Sequence, residues 1–73
     1  MEDIILYTVL QVSKILGVNK TKVYDFIKAG ILPALNLGGG LKVRKITLVK
    51  FLEDYEGYDL TDVNHLHKIE LAV

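Results

Sequence analysis

Residues 8–30, TVLQVSKILGVNKTKVYDFIKAG, constrain this chain more than any other stretch. They read as two short helices joined by a tight turn through Gly17, Val18 and Asn19. The Thr8 hydroxyl is placed to accept from the backbone N–H three residues on. Gln11 is placed to reach back to the N–H of Thr8, which completes the Thr-x-x-Gln capping box. Val9, Val12 and Leu16 then share one face, with Leu10 and Ile15 beside it. Gly17 offers the left-handed backbone that commonly follows a helix end, and Asn19 is a favoured N-cap for the next helix. Val23, Phe26 and Ile27 form the apolar face of that second helix, and Gly30 ends it. Two amphipathic helices with a three-residue turn between them form a helix-turn-helix. A plain helical hairpin has the same apolar seam, so the choice rests on the chain beyond Gly30.

That segment reads as a β-hairpin. Pro33, the single proline, blocks continuation of the helix and favours extended chain before it. Leu35 and Leu37 alternate with Ala34 and Asn36, and Leu41 and Val43 alternate with Lys42 and Arg44. These are two strands with period-2 patterning, each apolar on one side, joined by Gly38, Gly39 and Gly40. A glycine-tipped hairpin beside a helix-turn-helix is a wing, and its tip can approach a sugar-phosphate backbone closely. The glycines do not read as a nucleotide-phosphate loop. The Lys-Ser/Thr of a P-loop and the G-x-G-x-x-G spacing are both absent.

A third helix is expected at Lys45–Tyr55, with Leu48, Phe51, Leu52 and Tyr55 recurring at i, i+3, i+4 and i+7. Its acids Glu53, Asp54 and Glu56 cluster at the C-terminal end, against the helix dipole. Ile4, Ile5, Leu6 and Tyr7 read as a short strand or a packed lead-in, with Tyr7 at the hydrophobic-staple position. The expected fold is α+β and mostly α: a winged helix-turn-helix at 1–57, followed by a tail at 58–73. In the tail, Thr61 is placed to cap a helix carrying Leu60, Val63, Leu66 and Ile69 at i, i+3 spacing. Alternation of Val63, His65 and His67 with their neighbours reads instead as a weak strand. The tail either folds back on the core or meets a partner.

The chain carries nine cations and nine acids, yet the zero net charge hides a segregation. Lys14, Lys20, Lys22, Lys28, Lys42, Arg44, Lys45 and Lys50 share their window with one acid, Asp25, for a local charge of +7. The flanks hold eight acids against Lys68, a charge of −7. A basic centre with acidic flanks suits a protein that turns one face to phosphate.

The second helix carries the candidate reading surface. Opposite its buried arc lie Thr21, Tyr24, Asp25 and Lys28, with Lys20 and Lys22 at the edges. The lysines suit phosphates or guanine edges, and Thr21 and Tyr24 suit phosphate or a thymine methyl. Asp25 either accepts from a cytosine amino group or pairs with Lys22 or Lys28, the commoner arrangement on a helix. The wing contributes the backbone of Gly39 and Gly40 and the cations Lys42 and Arg44.

Several segments together resemble the excisionase family of small winged helix-turn-helix proteins related to the MerR type. They are Tyr7-Thr8-Val9-Leu10-Gln11-Val12, Leu16-Gly17-Val18-Asn19-Lys20, Val23-Tyr24-x-x-Ile27, Gly30-x-Leu32-Pro33-Ala34, Gly38-Gly39 and Leu48-x-x-Phe51-Leu52. The resemblance covers about residues 6–56. It implies duplex DNA as the partner, with the second helix in the major groove and the wing on backbone or minor groove. Carried over by position, it assigns Asn19, Lys20, Thr21 and Tyr24 to the helix contacts, and Lys42 and Arg44 to the wing. The sequence departs from the family at Asp25 and Asn36, where the family favours a basic residue. It departs also at Leu41, where an aromatic is usual, and at Arg44, where a proline is usual.

Other chemistry is not expected. The sequence holds no nucleophile–base pair and no paired acids in an apolar setting, so no catalytic activity is expected. No cofactor is implied. The absence of cysteine removes disulfides and thiolate metal sites. His65 and His67 have a strand-type metal spacing, but only ordinary surface acids stand nearby. No apolar run approaches a membrane span. The two acids at the N-terminus are unlike a secretory signal, so a prokaryotic cytoplasm, near the nucleoid, is the expected location. A chain of 73 residues leaves no room for a separate effector-sensing domain. Two roles fit DNA binding: an accessory factor that directs a recombinase, or a small transcriptional regulator of a mobile element. The tail would serve contact with the recombinase or with another copy. A third reading, from a different class, is an anti-repressor type of winged helix that docks an acidic protein.

Overall fold

The computed structural model describes residues 4–70. The two N-terminal acids and the last three tail positions, 71–73, lie outside the described residues. The chain runs β1 (Leu6–Thr8), α1 (Val9–Leu16), α2 (Lys20–Lys28), β2 (Leu35–Asn36), β3 (Leu41–Arg44), α3 (Lys45–Tyr55), β4 (Tyr58–Asp59) and β5 (His67–Lys68). It is a mostly helical α+β winged helix-turn-helix.

The helix boundaries follow from their caps. Gln11 N–H donates to Thr8 Oγ1 at 3.1 Å, and Thr8 N–H donates to Gln11 Oε1 at 2.9 Å, so the capping box of α1 is complete. Gly17 ends α1 at φ 71°, a backbone that a Cβ would strain. The Val18 N–H then donates to the Ser13 carbonyl at 3.0 Å and satisfies one of the last orphan acceptors. Asn19 Oδ1 accepts from the Lys22 N–H at 2.9 Å and starts α2.

The expected lead-in is a strand. β1 pairs antiparallel with β3, Tyr7 opposite Val43 and Thr8 opposite Lys42. β2 pairs with the other edge of β3, Leu35 opposite Lys42 and Asn36 opposite Leu41. The wing strand β3 is therefore the centre of a three-stranded sheet. At the tip, Asn36 Oδ1 accepts from the Gly38 N–H at 3.0 Å and closes the loop at 37–40.

Val9, Val12, Val23, Phe26, Leu32, Val43, Leu48 and Phe51 form the core. The rings of Phe51 and Tyr55 meet at 5.4 Å between centroids, and Tyr55 meets Tyr58 edge-on at 6.2 Å. Leu35, Leu37 and Leu52, expected on the apolar faces of the wing and of α3, are instead exposed, and Leu10 and Ile15, expected beside the buried face of α1, are exposed as well. The inward face of α1 is Val9, Val12, Ser13 and Leu16, an i, i+3, i+4, i+7 set that leaves Leu10 and Ile15 on its flanks. Ser13 is buried at no polar cost because its hydroxyl donates to the Leu10 carbonyl at 2.6 Å. β2 has only two residues, so Leu37 leaves the sheet and enters the tip. Conversely Leu32, in the loop after α2, is fully buried although no periodic pattern includes it.

Among the described residues, the tail is not helical. β4 and β5 pair antiparallel, Tyr58 opposite Lys68 and Asp59 opposite His67. Thr61 caps no helix; its N–H donates to Asp59 Oδ1 at 2.8 Å, inside the turn. The Asn64 N–H likewise donates to Asp62 Oδ1 at 3.0 Å. Such Asx turns compete with the helix that the i, i+3 stripe suggested. Leu60 and Val63 pack against the core, so the ribbon folds back.

Candidate nucleic-acid interface

α2 turns Val23 and Phe26 inward and half-buries Ile27. The opposite arc then faces solvent. Lys20, Tyr24 and Lys28 stand at i, i+4 and i+8, a line about 12 Å long at the helical rise. Thr21 lies beside it, and all four residues are exposed. Among the described residues, none of these four side chains has a hydrogen-bond or salt-bridge partner. The first turn of α2 holds no acid, so its backbone N–H groups keep their positive end uncompensated. The arc thus offers two ammonium groups, a phenol and a hydroxyl to one flat ligand face.

The other expected contacts on this helix are placed differently. The Asn19 Oδ1 is spent on the cap, which leaves its amide N–H2 to donate outward. Lys22 is half-buried and turned away from the arc. Its Nζ donates to the Thr61 carbonyl at 2.6 Å and lies 5.4 Å from the centre of the Phe26 ring. Asp25 forms neither of its expected pairs. Among the described residues, the lysine–carboxylate salt bridge is Lys50–Asp54 at 2.9 Å, and His65 Nδ1 lies 3.0 Å from Asp62 Oδ2. Lys22 is held elsewhere, and Asp25 lines an open cleft with Asn19, Thr21, Lys22 and Thr61.

In the wing, Gly39 and Gly40 sit at the exposed tip. Lys42 and Arg44 share the outer face of β3. Lys42 is half-buried between Thr8 and Leu35, while Arg44 is exposed opposite Leu6. The two cations therefore lie along the sheet rather than at the tip.

Sequence pattern alone missed the acidic edge that the tail brings to α2. Thr61 reaches Lys22 through its backbone carbonyl, an atom every residue carries, so no side-chain pattern announces the contact. Asp59 and Asp62 flank Thr61. Both carboxyls are held below the ordinary 3.8, Asp59 chiefly by hydrogen bonds from Thr61. Asp62 is held mainly by the Asn64 N–H and then by His65. The Lys22 charge makes a smaller contribution to both. At the far end of α3, Asp54 raises the Lys50 ammonium above 10.5 by its hydrogen bond and its charge.

The paired helices, the wing across β2 and β3, and the exposed arc of α2 define a winged helix-turn-helix protein. The family model described as a helix-turn-helix domain matches residues 6–55. The chain belongs to that family, a DNA-binding family that includes excisionase-like proteins. No curated protein and no solved structure matches the chain significantly. Among the described residues, no helix is long and apolar enough to cross a membrane.

Proposed function

We propose that this protein is a non-catalytic accessory factor of a mobile element, binding specific sites on duplex DNA in a prokaryotic cytoplasm. The observation that carries this reading is the unpartnered arc of Lys20, Thr21, Tyr24 and Lys28 on the second helix of a helix-turn-helix. A major groove admits a helix with such an arc. The Asn19 amide stands at the start of the same helix. The wing backs the helix with glycine backbone at its tip and with Lys42 and Arg44 along the sheet, suited to phosphate contact that fixes register.

Within this reading the favoured role is that of a recombination directionality factor, which binds beside an attachment site and directs a recombinase. The runner-up is a small transcriptional regulator that occupies an operator. A footprint of the protein on the DNA flanking its own gene separates the two. Several adjacent protected sites with induced bending support the first role, and one protected promoter site supports the second. A protein that leaves DNA unprotected at low salt but co-purifies with a protein partner contradicts both, and brings forward the anti-repressor type.

A further inference from the structure

Lys22 is the one cation of α2 that the fold removes from the exposed arc. Its ammonium is bonded to the Thr61 carbonyl at 2.6 Å and lies over the Phe26 ring, 5.4 Å from its centre. The turn that supplies this carbonyl carries Asp59 and Asp62. Each carboxylate also ties down its own turn, through the N–H of Thr61 and of Asn64 respectively. The β4–β5 pairing, with Leu60 and Val63 on the core, anchors the whole segment. An acidic, well-anchored edge thus stands against the start of the helix proposed to enter DNA.

We propose that the C-terminal ribbon is a specificity element of the DNA interface, in which the Thr61 carbonyl holds Lys22 away from phosphate and the nearby charges of Asp59 and Asp62 favour that position. This inference rests on the DNA-binding reading and says how that site is tuned. Phosphate contacts supply the sequence-independent part of affinity, and each added cation strengthens binding to any duplex. Holding Lys22 away lowers binding to arbitrary DNA while leaving Lys20, Thr21, Tyr24 and Lys28 to read bases. The acids also repel a phosphate that approaches the turn, an unfavourable contact that sharpens discrimination. Lys22 acts here as a positioning residue, since it holds the ribbon against the helix.

The test uses the full chain and a mixed-sequence duplex across a salt series. Asp59→Asn with Asp62→Asn keeps an amide oxygen to accept from the Thr61 and Asn64 N–H groups, so both turns survive. Glu53→Gln with Glu56→Gln removes the same charge from the end of α3 and serves as control. The acid-to-amide pair in the ribbon is expected to tighten binding by at least about threefold at low salt and to steepen the log–log salt slope by about one. The control pair gains less and leaves the slope unchanged. Lys22→Met removes the ammonium and keeps an apolar side chain of similar length. It is expected to change wild-type affinity by less than about twofold and, combined with the ribbon pair, to abolish the steeper salt slope and the part of the gain that Lys22 supplies. Equal gains from ribbon and control pairs overturn this inference and leave the DNA reading standing. So does a large loss from Lys22→Met in the wild type. A wild-type protein that ignores duplex DNA at low salt overturns both.

Discussion

The rings of Phe26 and Phe51 meet with their centroids 5.4 Å apart and their planes at 43°, and this contact seats α2 against α3. Both side chains are buried, and both belong to the eight-residue apolar core. A core this small has few other contacts to share the loss of one ring. Phe51→Ala is expected to cost about 3–5 kcal/mol, most of the stability of a domain this size. The variant should be largely unfolded by circular dichroism at room temperature, and Phe51→Leu should remain folded with a lower melting temperature. An alanine variant that melts within a few degrees of wild type contradicts the seating.

The wing tip holds a second, sharper contrast. Gly40 has φ 109°, a conformation that L side chains rarely adopt, whereas Gly39 does not have a positive φ. A Cβ at either position meets nothing within 4 Å, so any difference between them is conformational rather than steric crowding. Gly40→Ala is expected to cost about 1–2 kcal/mol, a fall of several degrees in melting temperature. Gly39→Ala should be neutral or slightly stabilising, because it restricts the unfolded chain. Equal melting temperatures for the two variants would argue against this tip.

Acid should loosen the ribbon before it loosens the core. The Asp59 and Asp62 carboxyls lie below their ordinary value because they accept hydrogen bonds inside the turns. A depressed carboxyl contributes stability that is present above its unfolded value and lost as pH falls through the folded one. The protection of the Thr61 and Asn64 amides, taken relative to the intrinsic exchange rate at each pH, should therefore be steady from neutral pH down to about pH 5 and should fall below about pH 4. Loss of protection well above that range contradicts the assignment. Asp59→Asn should remove its share of the acid sensitivity.

Much of this could be read from local pattern. The Thr8–Gln11 box, Gly17 and Asn19 each act within four residues, and the structure places all of them as the pattern requires. The bounds of α3 follow its apolar repeat for the same reason. Long-range choices were less legible. Periodicity marks Leu10, Ile15, Leu37 and Leu52 as apolar, but not which apolar positions a core of this size has room to cover. β1 becomes a strand only because β3 lies alongside it. The fate of Lys22 was hidden most fully, since it depends on a turn 39 residues away and on a main-chain oxygen. The exposed arc of α2 was legible because it follows from one helix alone.

Lys20→Ala and Tyr24→Ala test that arc directly. Both side chains are exposed, so thermal stability should change by no more than about 0.5 kcal/mol. Affinity for duplex DNA should fall in both variants. Lys20→Ala should also reduce the salt slope by about one, as loss of a phosphate contact requires. Wild-type affinity in both variants would remove α2 from the interface.

Contact between the basic centre of the chain and phosphate is measured most directly by the affinity of the wild-type protein for mixed-sequence duplex DNA across a salt series. Neutralising about four to six phosphates predicts a log–log slope of roughly −4 to −5. A slope of that size puts the basic centre on phosphate. No binding even at low salt, or binding indifferent to salt, would contradict it.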